Sequence, residues 1–288
     1  MHTCTRLRAV ALALAASTSA ALAAAAPTLA APTASAAATS AATALRPAAA
    51  TAARHPREVS SHIMGRHRRH AGGKQQSLNW AGYIRGGTGL TSASGSWTVP
   101  TLTTTHGGYS STWVGIDGAT SGDRYLIQTG TEADVSGGRR TYRAWWEVIT
   151  PSDVAPETVF AGLTIRPGDA ITASVRKAKT GRWTMRLGDA TTGHSASKTV
   201  SFAGPGHSAE WIQEDTDVNG AISTAPDWGS VTFHALKLNG SNPKLVASEA
   251  VDIVDSHGTR EASTSAPTKS GNGFTVTWLA PGTKTPAG

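Results

Sequence analysis

From about residue 77 onward, the chain alternates short runs rich in Val, Thr and Trp with clusters of Gly, Pro, Asn, Asp and Ser. No stretch repeats its apolar residues with the 3.6-residue period of a helix, and short runs bounded by turn residues are typical of strands. Thirteen strands are predicted, at residues 78–84, 94–99, 111–117, 125–131, 141–149, 162–165, 170–176, 182–187, 197–202, 209–214, 230–236, 245–251 and 274–279. We therefore expect an all-β domain of about 213 residues, a size that suits one large antiparallel β-sandwich.

Several predicted strands carry unusual side chains on their second face. Because side chains alternate along a strand, Trp113 and Asp117 share one face while aliphatic residues occupy the other. Gln128 lies on the corresponding face of the next predicted strand, and Trp145 and Glu147 lie on that face of the strand after it. A sandwich normally exposes Thr, Ser and Lys there, whereas Trp beside carboxylates is typical of a cleft that binds a polymer. A twisted sheet covered by a loop is the alternative.

The first 36 residues are predicted to be a secretion signal. Arg6 and Arg8 precede a run of Ala and Leu, and Ala34-Ser35-Ala36 provides a small-x-small cleavage site. The run is too short and too rich in Ala for a membrane anchor, and a disordered Ala-rich tail is the alternative. Cys4 is the single cysteine, so removal of the signal leaves none. We expect an exported domain whose stability comes from its core and not from disulfides.

Residues 37–75 have the composition of a pro-segment or linker, first rich in Ala and Thr and then in Arg and His. Residues 1–75 contain nine of the 26 Lys and Arg residues but one of the 19 acidic residues, which leaves 17 basic and 18 acidic residues in 76–288. The sequence pI of about 9.9 therefore gives no indication that the domain binds nucleic acid. The spacing of the His and Arg residues matches no metal-ligand pattern, and we expect cleavage near residues 66–69.

Gln128 and Glu214 offer the most compact candidate chemistry, an amide able to stabilise an oxyanion and a carboxylate able to move a proton. The usual catalytic motifs are absent: residues 206–210 lack the closing glycine of a Gly-x-Ser-x-Gly elbow, and there is no His-Glu-x-x-His. Neither a thiol nucleophile in the mature chain nor paired Asp-Thr-Gly or Asp-Ser-Gly loops are present. Chemistry without a metal or cofactor remains, by a carboxylate pair or by a carboxylate with an amide.

Five motifs follow one another along the domain. They are Asn79-Trp80-Ala-Gly82, Thr112-Trp113-Val-Gly-Ile-Asp117-Gly118, Leu126-Ile-Gln128-Thr-Gly130, Ala144-Trp145-Trp-Glu147 and Ala209-Glu-Trp-Ile-Gln-Glu214-Asp215. Together they resemble the motifs of the glutamic peptidases (the eqolisin or scytalidoglutamic-peptidase family), here in a bacterial-type secreted form. The resemblance covers residues 79–279 and implies an antiparallel β-sandwich of two bent, roughly seven-stranded sheets with a concave cleft.

The resemblance also implies which residues act. The catalytic glutamine corresponds to Gln128, and the catalytic glutamate corresponds to Glu214 and not to Glu210. Five further residues match positions around this pair in the cleft, namely Trp80, Trp113, Asp117, Trp145 and Glu147. For Trp80 and Trp113, packing at the sheet edge is the alternative. The implied protein is a secreted, monomeric acid endopeptidase in which Glu214 is the general base and acid and Gln128 stabilises the oxyanion.

We expect polypeptide substrates, no cofactor or metal, and neither nucleic acid nor a membrane as a partner after signal removal. The chain departs from the fungal members of the family, which have disulfides. Arg143 stands where they carry an acidic residue, and Thr131-Glu132 replaces an aromatic-acidic pair. A cation in the cleft lowers the pKa of nearby carboxylates, so we expect a different pH optimum and different subsites.

Two other functions stay open from the residues alone. A β-sandwich that binds or cleaves carbohydrate also places Trp and carboxylates on a concave face, with Glu147 and Glu214 as an acid and base. An inactive structural relative is the second alternative.

Overall fold

The computed structural model describes residues 68–69, 74–104, 106–119, 124–154, 156–179, 181–218 and 220–281, which form mostly strands. The strands, in chain order, are β1 (Arg68–Arg69), β2 (Gln75–Ser77), β3 (Trp80–Gly86), β4 (Ser92–Thr98), β5 (Ser110–Ile116), β6 (Leu126–Ser136), β7 (Arg139–Thr150), β8 (Asp153–Val154), β9 (Thr158–Thr164), β10 (Ala170–Lys179), β11 (Arg182–Asp189), β12 (His194–Ser201), β13 (Ser208–Asp215), β14 (Asp217–Val218), β15 (Ala221–Ile222), β16 (Ser230–Leu238), β17 (Ala250–Val254), β18 (Arg260–Thr264) and β19 (Phe274–Trp278). Helical structure in these ranges is one 3₁₀-helix, Ala247–Glu249, and no helix there is long and apolar enough to cross a membrane.

The predicted secretion signal, residues 1–36, lies outside the described residues. Most of the predicted pro-segment, 37–75, lies outside them as well, with β1 and residues 74–75 as the exceptions. The boundaries of both segments stay predictions.

Fourteen strands form one large antiparallel sheet, which confirms the all-β prediction. Their spatial order is β9-β7-β6-β5-β13-β3-β17-β18-β19-β16-β4-β10-β11-β12. The short strands β1, β2 and β8 add to this sheet, and β14 and β15 form a separate hairpin. The sheet bends until its ends nearly meet: β12 contacts β9, and the Lys198 ammonium lies 5.1 Å from the centre of the Trp146 ring on β7.

The prediction of two separate, seven-stranded sheets is wrong, because β16 belongs to both halves. Residues 230–233 of β16 pair with β19, whereas its later residues pair with β4. The register of the pairing with β4 shifts between His234 and Lys237, and Ala235 there takes a left-handed backbone conformation with a φ of 53°. Such a bulge bends a strand without ending its pairing. One hydrogen-bonded ladder therefore continues where two sheets were expected.

The predicted strands correspond to observed ones, with differences near the C-terminal end. Residues 245–249 form a loop and the 3₁₀-helix, so β17 begins only at Ala250. Strand β18 was not predicted because its run is mostly polar, although Ala262 and Thr264 are buried. Burial that comes from distant strands is invisible in such a short run.

The two faces of β5, β6 and β7 have the predicted division. Val114, Ile116 and Ile127 belong to the main hydrophobic core on one side of the sheet. Trp113 and Trp145 belong to a second buried cluster on the other side, completed by Trp80, Ile84, Leu126, Ile149, Ile212 and Val251. The sheet is therefore buried on both faces at this point, and the polar side chains of Gln128 and Glu147 on the second face lie away from water.

Gly130 on β6 allows the close packing of this second face against β5. A Cβ atom at this position would lie 2.2 Å from the carbonyl oxygen of Thr112 and 2.6 Å from the Cβ of Trp113. No side chain fits such a space, so the approach of the two strands requires glycine.

Gly130→Ala is expected to lower the free energy of unfolding by about 2–4 kcal/mol, because the new methyl group must push β5 and β6 apart. Gly162→Ala is the control, since Gly162 is exposed on β9 and a Cβ there has no neighbour within 4 Å. The control is expected to stay within about 0.5 kcal/mol of the parent. Urea unfolding followed by tryptophan fluorescence measures both variants, and equal stabilities contradict this account of the packing.

Candidate active site

The sequence-predicted site residues come from neighbouring strands in the order β3, β13, β5, β6 and β7. They are Trp80 on β3, Glu214 on β13, Trp113 on β5, Gln128 on β6, Trp145 and Glu147 on β7, and Asp117 directly after β5. The registers place all of them except Asp117 on the side of the sheet that carries the second buried cluster. We call this side of the five strands the site face.

Gln128 lies in a row that crosses the site face. It is opposite Glu147 on β7 and opposite Gly115 on β5, and Gly115 is opposite Glu210 on β13. Residues that are opposite each other in a sheet point to the same side. We call this line of four residues the Gln128 row. A Cβ atom at Gly115 would lie 2.9 Å from Cζ3 of Trp113 and 3.2 Å from Cδ1 of Leu126, so these two side chains occupy the middle of the row.

Glu214 lies in a second row, four residues along β5 from the first. It is opposite Trp80 on β3 and Ser111 on β5. The row continues from Ser111 to Glu132 on β6 and Arg143 on β7. The two rows place Gln128 and Glu214 on strands that flank β5 on either side.

The Gln128 amide is buried and held from one side. Its Nε2 donates a hydrogen bond of 2.5 Å to Oε2 of Glu147, and both side chains are less than 5% exposed. A carboxylate can only accept, so this contact turns the amide nitrogen toward β7. The amide oxygen of Gln128 is buried and has no hydrogen-bond partner among the described residues.

The Glu214 carboxylate is held by two donors and is partly exposed. The indole nitrogen of Trp113 donates to Oε2 over 2.6 Å, and Nδ2 of Asn79 donates to Oε1 over 3.3 Å. Asn79 is itself fixed, because its backbone N–H donates to Ser77 and its carbonyl accepts from the N–H of Asp215. The carboxylate is therefore oriented and still reachable from solvent.

The three predicted cleft tryptophans are all buried. The rings of Trp80 and Trp113 meet edge to face, with their centres 4.9 Å apart. Trp80 and Trp145 pack inside the second cluster. Trp113 packs there as well and also binds Glu214 directly. A contact of Trp80 or Trp145 with substrate stays a prediction.

Asp117 acts as the anchor of a loop. It is fully buried and has a left-handed φ of 69°. Its carboxylate accepts hydrogen bonds from the backbone N–H groups of Gly206, at 3.1 Å, and His207, at 2.7 Å. These bonds fasten the segment that enters β13. The predicted cleft role of Asp117 stays a prediction.

Arg143, the cation that departs from the family pattern, forms an ion pair with Glu132. Glu132 is 2% exposed, whereas the Arg143 side chain reaches the surface. The pair lies at one end of the row that contains Glu214. No group of three or more His, Cys, Asp or Glu side chains in the described part of the chain is arranged to hold a metal ion.

Glu210 is a fully buried carboxyl group in the Gln128 row. Burial raises its pKa well above the usual range, and the nearby charge of Asp117 raises it further. The Ser208 hydroxyl favours the ionised form, but it lies outside hydrogen-bond geometry, and neither oxygen of Glu210 has a hydrogen-bond partner among the described residues. Glu210 is therefore a neutral acid over a wider pH range than an exposed glutamate.

Two residues of the site were not predicted as site residues. Asn79 contacts Glu214, and its signal in the sequence was its place directly before Trp80 in the first motif. Ser111 lies between Glu214 and Glu132, and its hydroxyl is buried without a hydrogen-bond partner in the part of the chain that the structure describes. The sequence signal for Ser111 was the alternation of side chains along β5, which places Ser111 on the same face as Trp113.

A family model described as the peptidase A4 family matches residues 78–278. Aspergillopepsin-2 of Aspergillus niger is 30% identical over 231 residues, which are 72% of this chain and 79% of that protein. Scytalidopepsin B of Scytalidium lignicola is 33% identical over 141 residues, 48% of this chain and 51% of that protein. The crystal structure of scytalido-glutamic peptidase with a transition-state analogue inhibitor is similar with a TM-score of 0.57 and 25% identity, covering 70% of this chain and 98% of that chain. The crystal structure of aspergilloglutamic peptidase from Aspergillus niger is similar with a TM-score of 0.50 and 31% identity, covering 59% of this chain and 99% of that chain.

The raised pKa of Glu210 predicts how stability depends on pH. In the unfolded chain Glu210 loses its proton near pH 4.3, about the ordinary value, whereas the folded protein retains it. The free energy of unfolding therefore falls as the pH rises above that value, by up to about 1.4 kcal/mol per pH unit from this group, until the folded pKa is passed. Glu210→Gln is expected to remove this contribution and flatten the dependence.

Urea unfolding of the parent and of Glu210→Gln between about pH 4 and pH 7 measures the difference. Asp153→Asn, at an exposed position on β8, is the control and is expected to follow the parent. Parallel curves for the parent and Glu210→Gln contradict the assignment of a neutral, buried acid.

Proposed function

The chain belongs to the peptidase A4 family and is a glutamic-type peptidase, and on this premise we propose that Glu214 and Gln128 are its catalytic pair. Its substrates are polypeptides. In the proposal it is an acid endopeptidase in which water attacks the peptide bond directly, with no acyl-enzyme.

One observation carries the proposal: two oriented side chains lie on the strands that flank β5. Gln128 on β6 and Glu214 on β13 point to the same side of the sheet. Trp113 stands on β5 midway between the residues opposite them and donates to Glu214. A peptide bond above Trp113 would lie between an amide donor and a carboxylate base, which is what addition of water to a carbonyl requires.

The proposed reaction begins with the Glu214 carboxylate, which takes a proton from a water molecule while the water oxygen attacks the carbonyl carbon. The carbonyl oxygen becomes an oxyanion. An N–H of the Gln128 amide donates to this oxyanion, and one such donor contributes about 3–4 kcal/mol in other hydrolases. Glu214 then gives its proton to the amide nitrogen, the C–N bond breaks, and an amine and a carboxylic acid leave.

The proposed roles agree with the surroundings of each side chain. The base needs access to water, and Glu214 is partly exposed. The oxyanion donor needs a fixed direction, and Glu147 holds one N–H of Gln128 so that the other remains available. Gln128 does not titrate, so this donor persists in acid, where an ordinary glutamate with a pKa of about 4.3 is still partly ionised.

The carbohydrate alternative receives no support from these contacts. A glycosidase needs a second carboxyl group that faces the substrate. Glu147, the candidate for that role, accepts a hydrogen bond from the Gln128 amide with one of its oxygens.

Gln128→Ala and Glu214→Gln are expected to lower kcat for denatured casein at about pH 4 by about 10²–10³-fold and about 10²–10⁴-fold, respectively. The first variant loses the oxyanion donor and the second loses the base. Glu249→Gln, outside the site face on the 3₁₀-helix, is the control and is expected to retain parent activity. Circular dichroism and thermal unfolding check that each variant is folded. Parent-like activity of a folded Gln128→Ala or Glu214→Gln protein contradicts the assignment.

We further propose that the protein is exported with residues 1–36 as its signal and that residues 37–75 are a removable pro-segment. β1, near the end of this segment, pairs with β2, and β2 runs parallel to β17 beside the start of β3. The chain then leads within a few residues to Asn79, the donor to Glu214. The basic end of the segment is therefore attached close to the proposed base.

A synthetic peptide of residues 37–73 is expected to bind the processed domain near pH 7 and to dissociate from it near pH 4. Acid protonates carboxylates of the domain and removes their negative charge, so their electrostatic attraction for the arginines of the peptide falls. Fluorescence anisotropy of the labelled peptide measures binding at both pH values. A peptide of the same composition in scrambled order is the control, and the absence of binding at neutral pH contradicts the proposal.

A further inference from the structure

Five neighbouring strands at one end of the sheet turn an unusual set of side chains toward solvent. β16, β4, β10, β11 and β12 lie side by side in this order. Their apolar side chains, such as Trp97, Val175 and Met185, belong to the main hydrophobic core. Because side chains alternate along a strand, the residues between them point to the opposite side, away from the core. We call this outward side of the five strands the cationic face.

The charged side chains of the cationic face all have the same sign. They are Arg176 on β10, Arg182 and Arg186 on β11, and Lys237 on β16, and all four are exposed. None of the four forms an ion pair with a residue that the structure describes. Asp189 is the one acidic residue in these five strands, all of which the structure describes, and its side chain is buried on the core side.

Positive charge is concentrated in this part of the domain. The five strands of the cationic face contain seven Lys and Arg residues and one acidic residue, whereas the five strands of the site face contain four and six. Residues 76–288 as a whole hold 17 basic and 18 acidic residues, so the overall composition does not explain the difference. A surface of one sign with no internal ion pairs attracts molecules of the opposite charge.

The arginines form an extended zigzag and not a pocket. Arg182 and Arg186 are four residues apart on β11, or about 14 Å. Arg176 is opposite Thr184, halfway between them on the neighbouring strand, so the Cα atom of each arginine is about 8 Å from the next. Lys237 lies level with Arg186 but three strands away. Charges spread in this way suit a chain with repeated negative groups better than one small ion.

Hydroxyl groups hold two of the arginines and fill the space around them. Nη1 of Arg182 donates a hydrogen bond of 3.1 Å to Oγ of Ser201, and Nη2 of Arg186 donates one of 2.9 Å to Oγ of Ser195. Both partners lie on β12. A guanidinium has five N–H donors, so each arginine retains donors for a ligand. The other outward residues of these strands are mostly Ser and Thr, whose hydroxyls both donate and accept.

This composition favours an anionic polysaccharide over other polyanions. The outward positions of the five strands hold no Trp, Tyr or Phe and no large aliphatic side chain. Single-stranded nucleic acids are held by bases that stack on aromatic rings, and membrane-surface proteins insert apolar side chains. A carboxylate instead matches the fork of a guanidinium, and sugar hydroxyls match Ser and Thr hydroxyls.

We propose that the cationic face binds an anionic polysaccharide with repeated carboxylate groups, and that Arg176, Arg182 and Arg186 make the ionic contacts. The cationic face and the site face belong to different strands, and both lie on the side of the sheet away from the main core. A bound polymer therefore leaves the site face open. The polymer holds the protein and is not cleaved, so the inference goes beyond the peptidase activity and does not depend on which residues are catalytic.

Binding of polygalacturonate, a polymer of carboxylated sugars, tests the proposal with the full chain at about pH 7, where the carboxylates of the polymer are ionised. Arg176→Gln/Arg182→Gln/Arg186→Gln removes three exposed ionic contacts, so Kd is expected to rise about 5–100-fold. Added salt is expected to weaken binding of the parent and to reduce this difference, because exposed charges are screened. Isothermal titration calorimetry measures Kd, and circular dichroism checks that the variant is folded.

A second triple variant separates the cationic face from net charge. Arg139→Gln/Arg140→Gln/Lys269→Gln removes the same charge from exposed positions outside the five strands, and its Kd is expected to stay within about twofold of the parent. The basic segment before residue 76 is common to all three proteins, so differences between them come from the domain. Equal affinity of the two triple variants, or of the parent and the first variant, overturns the inference.

Three further ligands test which chemistry is recognised. Fully methyl-esterified polygalacturonate has the same backbone without the charge, and substitution of the three arginines is expected to leave its binding unchanged. Single-stranded DNA and vesicles of phosphatidylglycerol present phosphate groups in place of carboxylated sugars. If the three substitutions weaken binding of DNA or of vesicles as much as binding of polygalacturonate, the assignment to a polysaccharide is overturned. A parent that does not bind polygalacturonate overturns it as well.

Discussion

The hydrogen bond from the Trp113 indole to the Glu214 carboxylate, 2.6 Å long, joins the two strands on which the site face depends. Trp113 is fully buried, and its ring packs against Trp80. A buried indole N–H without an acceptor costs about 1–3 kcal/mol, so Trp113 and Glu214 hold each other in place. Gly130 lets β6 approach on the other side of Trp113, and this approach brings Gln128 to the same face. Any change in how Trp113 packs therefore affects both proposed catalytic groups.

Burial of the sheet on both sides explains why several polar groups of the site face are paired with one another. A polar side chain that cannot reach water needs a partner within the protein. Glu147 accepts a hydrogen bond from Gln128, and Arg143 forms an ion pair with Glu132. Pairs of this kind are rigid, and rigid donors stabilise a transition state without having to reorganise during the reaction. The chemistry is thus preorganised by the same contacts that make the buried face stable.

Local alternation was enough to predict the two faces of β5, β6 and β7, because the direction of a side chain in a strand follows from its position. The single continuous sheet could not be predicted, since it depends on a bend at Ala235 and on pairing between strands far apart in sequence. The burial of Glu210 could not be predicted either, because it comes from β3 and β5, which flank β13 and are distant from it in sequence. Alternation placed Asp117 on the face of Trp113. The left-handed backbone conformation of Asp117 after β5 instead directs its carboxylate to the backbone N–H of His207, in the loop before β13.

A crystal structure at acid pH with a peptide analogue that carries two oxygens on a tetrahedral carbon tests the central claim most directly, since both proposed groups must meet at one atom. The account predicts one oxygen about 2.7–3.1 Å from Nε2 of Gln128 and the other at hydrogen-bond distance from Glu214. An analogue whose tetrahedral oxygens bind elsewhere, or contact Glu147 in place of Glu214, would contradict it.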